Sequence, residues 1–129
     1  IEHATSWINN AIIETPLINM AIDFEGEAIG GIGLILNSDV YVLSAEIGYW
    51  ISEEHWGKGI ATEAIRQMLD YTFYYFDFVR IYAEVFENNK SSMRALEKNG
   101  FYLEGVRRKS VFKNGILMDD YIWVKLRPY

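Results

Sequence analysis

The sequence predicts a single mixed α/β domain, and three observations carry that expectation. Short apolar runs alternate with two segments of helical periodicity. Turn signals separate nearly every run. Half of the 129 residues are hydrophobic and 16% are aromatic, enough to bury one substantial core and to set disorder aside.

The elements follow in order. Ala4, Trp7, Ile8, Ala11 and Ile12 fall at helical spacing, so residues 3–14 read as a helix closed by Pro16. Met20 to Phe24 and Ile29 to Leu36 read as two strands around the turn Glu25-Gly26-Glu27. Gly30, Gly31 and Gly33 in the second strand suggest a bulge or a close packing approach. Ser44 to Ile51 is a third strand, and Ser52 to Lys58 a glycine-containing loop. The long helix, Gly59 to Phe76, places Ala61, Ala64, Ile65, Met68, Leu69 and Thr72 on its apolar face. Glu63, Arg66, Gln67 and Asp70 make the other face. Val79 to Phe86 reads as a buried strand. Asn89 to Asn99 is a short helix stopped by Gly100. Phe101 to Lys109 and Leu117 to Leu126 are the final strands, with an Asn114-Gly115 turn between them.

Charge and composition narrow the function classes. The formal charge is −6, so nucleic acid is not an expected partner; the basic residues cluster only at Arg107-Arg108-Lys109 and Lys113. An acidic surface gives solubility and would also steer cationic amines. With no cysteine there is no disulfide and no thiolate chemistry, which fits a cytoplasmic protein. No apolar run reaches the roughly 20 residues of a membrane span, so no membrane partner is expected.

His55-Trp56-Gly57-Lys58-Gly59-Ile60-Ala61-Thr62 joins the third strand to the long helix. Two glycines one residue apart let backbone approach a ligand. The helix start adds unpaired N–H groups and the positive end of the macrodipole. Together they form an anion cradle, although an ordinary strand-to-helix turn uses the same residues. The P-loop pattern is absent, and Gly57-x-Gly59-x-Ala61 matches the dinucleotide fingerprint only in part, which leaves an unrelated nucleotide-binding reading open. A second constellation, Asn89-x-x-Ser92, opens the short helix. Asn89 is also a good N-cap, and Ser92 is placed to bond backbone in the first turn.

The segments Glu46-Ile47-Gly48-Tyr49-Trp50-Ile51, His55 to Ala64, and Asn89-x-x-Ser92 running into Leu96-Glu97-Lys98-Asn99-Gly100-Phe101 resemble the GNAT family of acetyl-CoA-dependent N-acetyltransferases. The closest likeness is to the ribosomal-protein (RimJ/RimL) branch. The resemblance spans residues 3–126. It implies a central, mostly antiparallel sheet with a splayed strand pair, flanked by helices. It also implies direct acetyl transfer from acetyl-CoA to a primary amine: a protein N-terminus, a polyamine or another small amine. The strand ending at Ile51 would bond the pantetheine arm. Trp56, Gly57, Lys58, Gly59, Ile60 and Ala61 would wrap the pyrophosphate, with Thr62 adding its hydroxyl. Asn89 would bond the pantetheine region and Ser92 would sit near the thioester sulfur. Arg94 and Lys98 are further candidates for the nucleotide phosphate. No metal is implied.

Several positions depart from the family pattern. Glu54 stands where many members carry Arg or Gln, which leaves the pyrophosphate to backbone donors. Leu96 replaces a Tyr that is a general acid in many members, leaving Ser92 for that role. Val111 replaces a Glu that is a base in part of the branch. The base is then expected to be Glu46, with Glu84 second; His55 reads as loop packing, and Tyr49, Trp50, Tyr82 and Phe86 as core or pocket wall. The family domain normally begins with a strand and helix ahead of residues 3–14, so the expectation is an N-terminally truncated domain over 1–129. A non-catalytic acyl-CoA-binding sensor or scaffold is the alternative function. The aromatic C-terminal strand, Tyr121 to Tyr129, offers a surface for a possible homodimer.

Overall fold

A computed structural model describes residues 18–128. The helix expected at residues 3–14 lies outside them. The described chain runs β1 (Asn19–Phe24), β2 (Glu27–Leu36), β3 (Ser44–Ile51), α1 (Ile60–Tyr75), β4 (Arg80–Phe86), α2 (Lys90–Lys98), β5 (Tyr102–Lys113) and β6 (Ile116–Leu126). Single 3₁₀ turns occur at Asp39–Tyr41 and Glu53–His55. The six strands form one sheet in the order β1-β2-β3-β4-β6-β5. All neighbours are antiparallel except β3 and β4, which are parallel because α1 carries the chain back between them.

Alternation along the strands sorts the sheet into two faces. Ile32, Leu34, Ala45, Ile47, Ile81, Ala83, Val85 and Trp123 point to one face and pack with Ile65, Met68, Met93 and Leu96 of the two helices. The opposite face carries Glu46, Gly48 and Trp50 of β3 and, in register with them, Tyr82 and Glu84 of β4. β4 is therefore buried on one side only, not on both as its apolar run suggests; Glu84 keeps a third of its side chain accessible.

Two helix details differ from the periodicity. Gln67, expected on the polar face of α1, is buried, and its Nε2 donates to Glu63 Oε2 at 2.8 Å. The C-terminal end of α1 is closed by a residue 50 positions away. The Arg127 guanidinium donates to the carbonyls of Phe73 (3.0 Å), Phe78 (2.8 Å) and Phe76, and lies over the Phe73 ring. It satisfies late carbonyls with a cation where the helix dipole favours one.

The last hairpin is longer than the sequence suggests. β5 continues past Lys109 to Lys113 through an irregularity between Arg107 and Val111, with Lys109 at φ 55°. Arg107 pairs with Asp120 and Val111 with Met118, so two extra residues are accommodated on β5. The expected bulge falls beside the β2 glycines: Ile22 pairs with Gly30 and Asp23 with Ala28, which leaves Ile29 as the extra residue on β2. The glycines themselves mark close approach: a Cβ on Gly30 would stand 2.1 Å from the Trp50 carbonyl oxygen.

Candidate active site

The site begins where β3 and β4 part. Their parallel ladder has only three rungs, Ser44–Arg80, Ala45–Ile81 and Glu46–Tyr82, although both strands continue. Ser52 N donates to Ile29 O, so the hydrogen-bonded partners of β2 and β3 are the alternate pairs that include Gly31–Trp50 and Gly33–Gly48. The intervening residues Ile47, Tyr49 and Ile51 must aim their N–H and C=O groups the other way, toward β4. The same parity applies to β4: Glu87 N donates to Asp119 O and Arg127 N to Val79 O, which turns the backbone of Tyr82, Glu84 and Phe86 toward β3. Beyond Glu46–Tyr82 the two strands thus face a shared gap lined with backbone donors and acceptors, suited to a ligand that carries amides of its own.

The glycine loop stands at the wide end of that gap. Gly57 and Gly59 have φ of 75° and 78°, a region costly to any residue with a Cβ. Gly59 is the N-cap of α1, with no side-chain cap on the first turn, so the leading N–H groups of Ile60, Ala61 and Thr62 remain for a ligand. Trp56 folds back and its Nε1 donates to Ile51 O at 2.7 Å, pinning the loop to the end of β3. That bond occupies the carbonyl of Ile51, leaving its N–H as the group available to a ligand. Lys58 Nζ lies 5.9 Å over the Phe24 ring, and His55 packs edge-on to the same ring while bonding Ser52 Oγ at 2.9 Å. His55 is therefore a loop-packing residue, as its position suggested. Arg94 and Lys98 lie on α2.

On the helix face, Tyr49 and Ser92 bridge the gap. Their hydroxyls form a short hydrogen bond from β3 to the first turn of α2. Burial pushes the Tyr49 phenol above its ordinary value, against a smaller lowering by Ser92. The phenol is therefore neutral across the physiological range. Asn89 Oδ1 accepts from Ser92 N at 3.2 Å and caps α2, which sets the position of Ser92. Sequence reasoning placed Tyr49 in the wall; alternation could have found it, since Tyr49 shares a face with Ile47 beside the helix bearing Ser92. Leu96 is fully buried in the core.

On the opposite face stand the carboxylates. Burial, followed by the neighbouring Glu84, raises the Glu46 carboxyl, and Arg107 partly opposes them. Glu84 is ion-paired with Arg107, Oε1 to Nη2 at 2.8 Å. Val111, where a family Glu was sought, pairs with Met118 at the far side of the β5 irregularity, away from the β3–β4 gap. A cavity of about 380 Å³ lies over Gly31, Gly33 and Gly48 and beside Trp50 and Ile35, the β2 residue paired with Glu46. The two arginines of the last hairpin's basic cluster are spent on acids, while Lys113 Nζ lies over the Phe86 ring. Arg107 bonds Asp120 through two nitrogens, and Arg108 Nε meets Asp119 Oδ2 at 3.1 Å. Among the described residues no group of His, Asp and Glu side chains could hold a metal ion. No described helix is long and apolar enough to cross a membrane.

The structure thus brings together a parallel strand pair that opens beside a glycine-capped helix, a hydroxyl pair on one side and a half-buried carboxylate on the other. Comparison with known proteins gives the family. The acetyltransferase (GNAT) domain pattern matches residues 1–102, and the chain belongs to that family. It is 46% identical over 85 residues to the probable N-acetyltransferase YjcK of Bacillus subtilis, covering 66% of this chain and 47% of the relative. It is 32% identical over 94 residues to spermidine N(1)-acetyltransferase of Escherichia coli K12, covering 73% and 50%. Among solved structures it resembles Mycobacterium smegmatis RimJ in complex with CoA-disulfide, with TM-score 0.76 and 29% identity over 84% of this chain and 52% of that one. A microcin C7 self-immunity acetyltransferase in complex with acetyl-CoA and AMP gives TM-score 0.74 and 29% identity over 84% and 60%. The chain spans about half the length of the curated relatives it matches.

Proposed function

We propose that this domain transfers the acetyl group of acetyl-CoA to a primary amine, with the carrier lying in the gap between β3 and β4. The observation that carries the reading is the parting of those strands after Glu46–Tyr82, directly ahead of the Gly57–Gly59 loop. The backbone fits the carrier: amide-bearing pantetheine matches the outward C=O of Ile47 and the outward N–H and C=O groups of Tyr49 and Glu84. A pyrophosphate matches the uncapped first turn of α1. When bound, acetyl-CoA supplies an acyl thioester already activated for attack.

The residues divide the remaining work. Glu46 Oε accepts the proton that an alkylammonium must lose before its nitrogen can attack. A gap-facing N–H of β3 stabilises negative charge on the carbonyl oxygen. The hydrogen-bonded Tyr49–Ser92 hydroxyl pair would hold the proton that the leaving thiolate needs. Glu46 is a better base than Glu84 because burial brings it nearer the working pH, while Glu84 is held by Arg107.

The acceptor reaches Glu46 from the sheet face opposite the helices, where the cavity beside Trp50 lies. Relatives named as ribosomal-protein-serine and spermidine acetyltransferases support an amine of either kind. Thiol release from acetyl-CoA, followed with spermidine and with a peptide bearing a free N-terminus, tests the reading. Amine-dependent release supports it. CoA binding without release across an amine panel would instead make the domain an acyl-CoA-binding module.

A further inference from the structure

We propose that Arg107 is a positioning residue for the proton-accepting site: fixed on buried Asp120, it engages Glu84 and thereby sets Glu46 apart as the carboxylate that accepts a proton. The proposal rests on the reading of Glu46 as the base. Asp120 is 2% exposed on β6, and its carboxylate takes three side-chain hydrogen bonds. Arg107 Nε donates to Oδ1 at 3.1 Å, Arg107 Nη2 to Oδ2 at 2.5 Å, and Ser110 Oγ to Oδ1 at 2.5 Å. The third is possible only because of the irregularity in β5. Its extra residues turn Ser110 back onto Asp120 and onto the Arg107 carbonyl at 3.0 Å. The hairpin is thus shaped around one guanidinium.

The same Nη2 meets Glu84 Oε1 at 2.8 Å. Arg107 therefore spans β5, β6 and β4 and ends beside the gap. Glu46 and Glu84 share that face, offset by two residues, about 7 Å along the strands. Two carboxylates so placed compete for one proton unless one has its own cation. The groups facing Glu46 are Tyr82 and Glu84 from β4 and Arg107 from β5, with apolar Ile35 opposite it on β2. Among the described residues Glu46 has no ion pair, whereas Glu84 has Arg107. Arg107 thus removes ambiguity about which acid takes the proton and opposes the rise imposed on Glu46 by burial and by Glu84.

Two readouts test this on Arg107→Gln and Arg107→Lys: the carboxyl ¹³C titration of Glu46 in the protein without ligand, and the pH profile of kcat/KM. Arg107→Gln is expected to move the Glu46 midpoint up by on the order of one pH unit, with the acid limb of the profile following it. Arg107→Lys, which keeps the charge and supports the fold, is expected to return most of that shift. Glu84→Gln is expected to move the midpoint down. A Glu46 midpoint unmoved in a folded Arg107→Gln variant would overturn the proposal. A midpoint that moves while the profile stays would instead overturn Glu46 as the base, and the proposal would fall with it.

Discussion

Glu46→Gln keeps the size of the side chain and removes the proton acceptor, so kcat is expected to fall by about 10²–10⁴-fold with little change in CoA affinity. The acid limb of kcat/KM should lie above the ordinary glutamate range, because burial raises this group and its ionised form is the active one. Activity therefore rises with pH through the raised value. Ser92→Ala and Tyr49→Phe each interrupt the hydroxyl pair, and steady-state kinetics of the single and double variants should show non-additive losses, as in a shared unit. Ser92 and Glu46 stand on the segments that carry the family resemblance, and the structure places them in the first turn of α2 and on the last rung of the β3–β4 ladder. Tyr49 was less legible, because an aromatic residue on a strand reads as core until its neighbour across the sheet is known. Asn89 is visible in both readings, and in the structure its Oδ1 is the cap that sets Ser92.

The elements depend on contacts of two kinds, local and distant. Gly57→Ala asks a residue with a Cβ to hold φ near 75°, at a cost of about 1–2 kcal/mol. The loop is expected to relax from its cradle and weaken CoA binding on the order of tenfold by calorimetry, while thermal stability changes little. Arg127→Ala leaves the carbonyls of Phe73 in α1, of its C-cap Phe76 and of Phe78 beyond it without their donor and is expected to cost about 1–3 kcal/mol in chemical denaturation. The strand and helix series from β1 to β6 was readable because periodicity and turn residues are local signals; β3 matches residue for residue. The Arg127 closure was not, since nothing near residue 127 specifies a helix end fifty positions earlier. The extension of β5 past Lys109 was hidden for a related reason: a basic run with a positive-φ lysine reads as an end, and only Asp119 and Asp120 on the partner strand make it a bulge.

At the scale of the whole molecule, two parallel strands are joined at one end and part at the other. Acid should loosen the β5–β6 side in a defined way. The Arg107 guanidinium and the Ser110 hydroxyl hold the Asp120 carboxyl below the usual carboxylate range. Its contribution is present above the unfolded value and is lost as pH falls through that value toward the folded one. Asp120→Asn is therefore expected to lower stability at neutral pH by about 1–3 kcal/mol and to flatten the acid limb of a stability-against-pH curve. The family, and with it the sheet, could be read from ordered motifs. The division into a helix face with hydroxyls and an opposite face with carboxylates could not, because it depends on which β3 residues face α2 once the sheet is assembled. The central claim is that an acyl carrier occupies the gap between β3 and β4, and backbone ¹⁵N–¹H spectra recorded during titration with CoA test it most directly. The expected result is that the largest shifts fall on Ile47, Tyr49 and Ile51 and on Gly57 to Thr62. Saturable binding that leaves those amides unmoved and shifts others would contradict it.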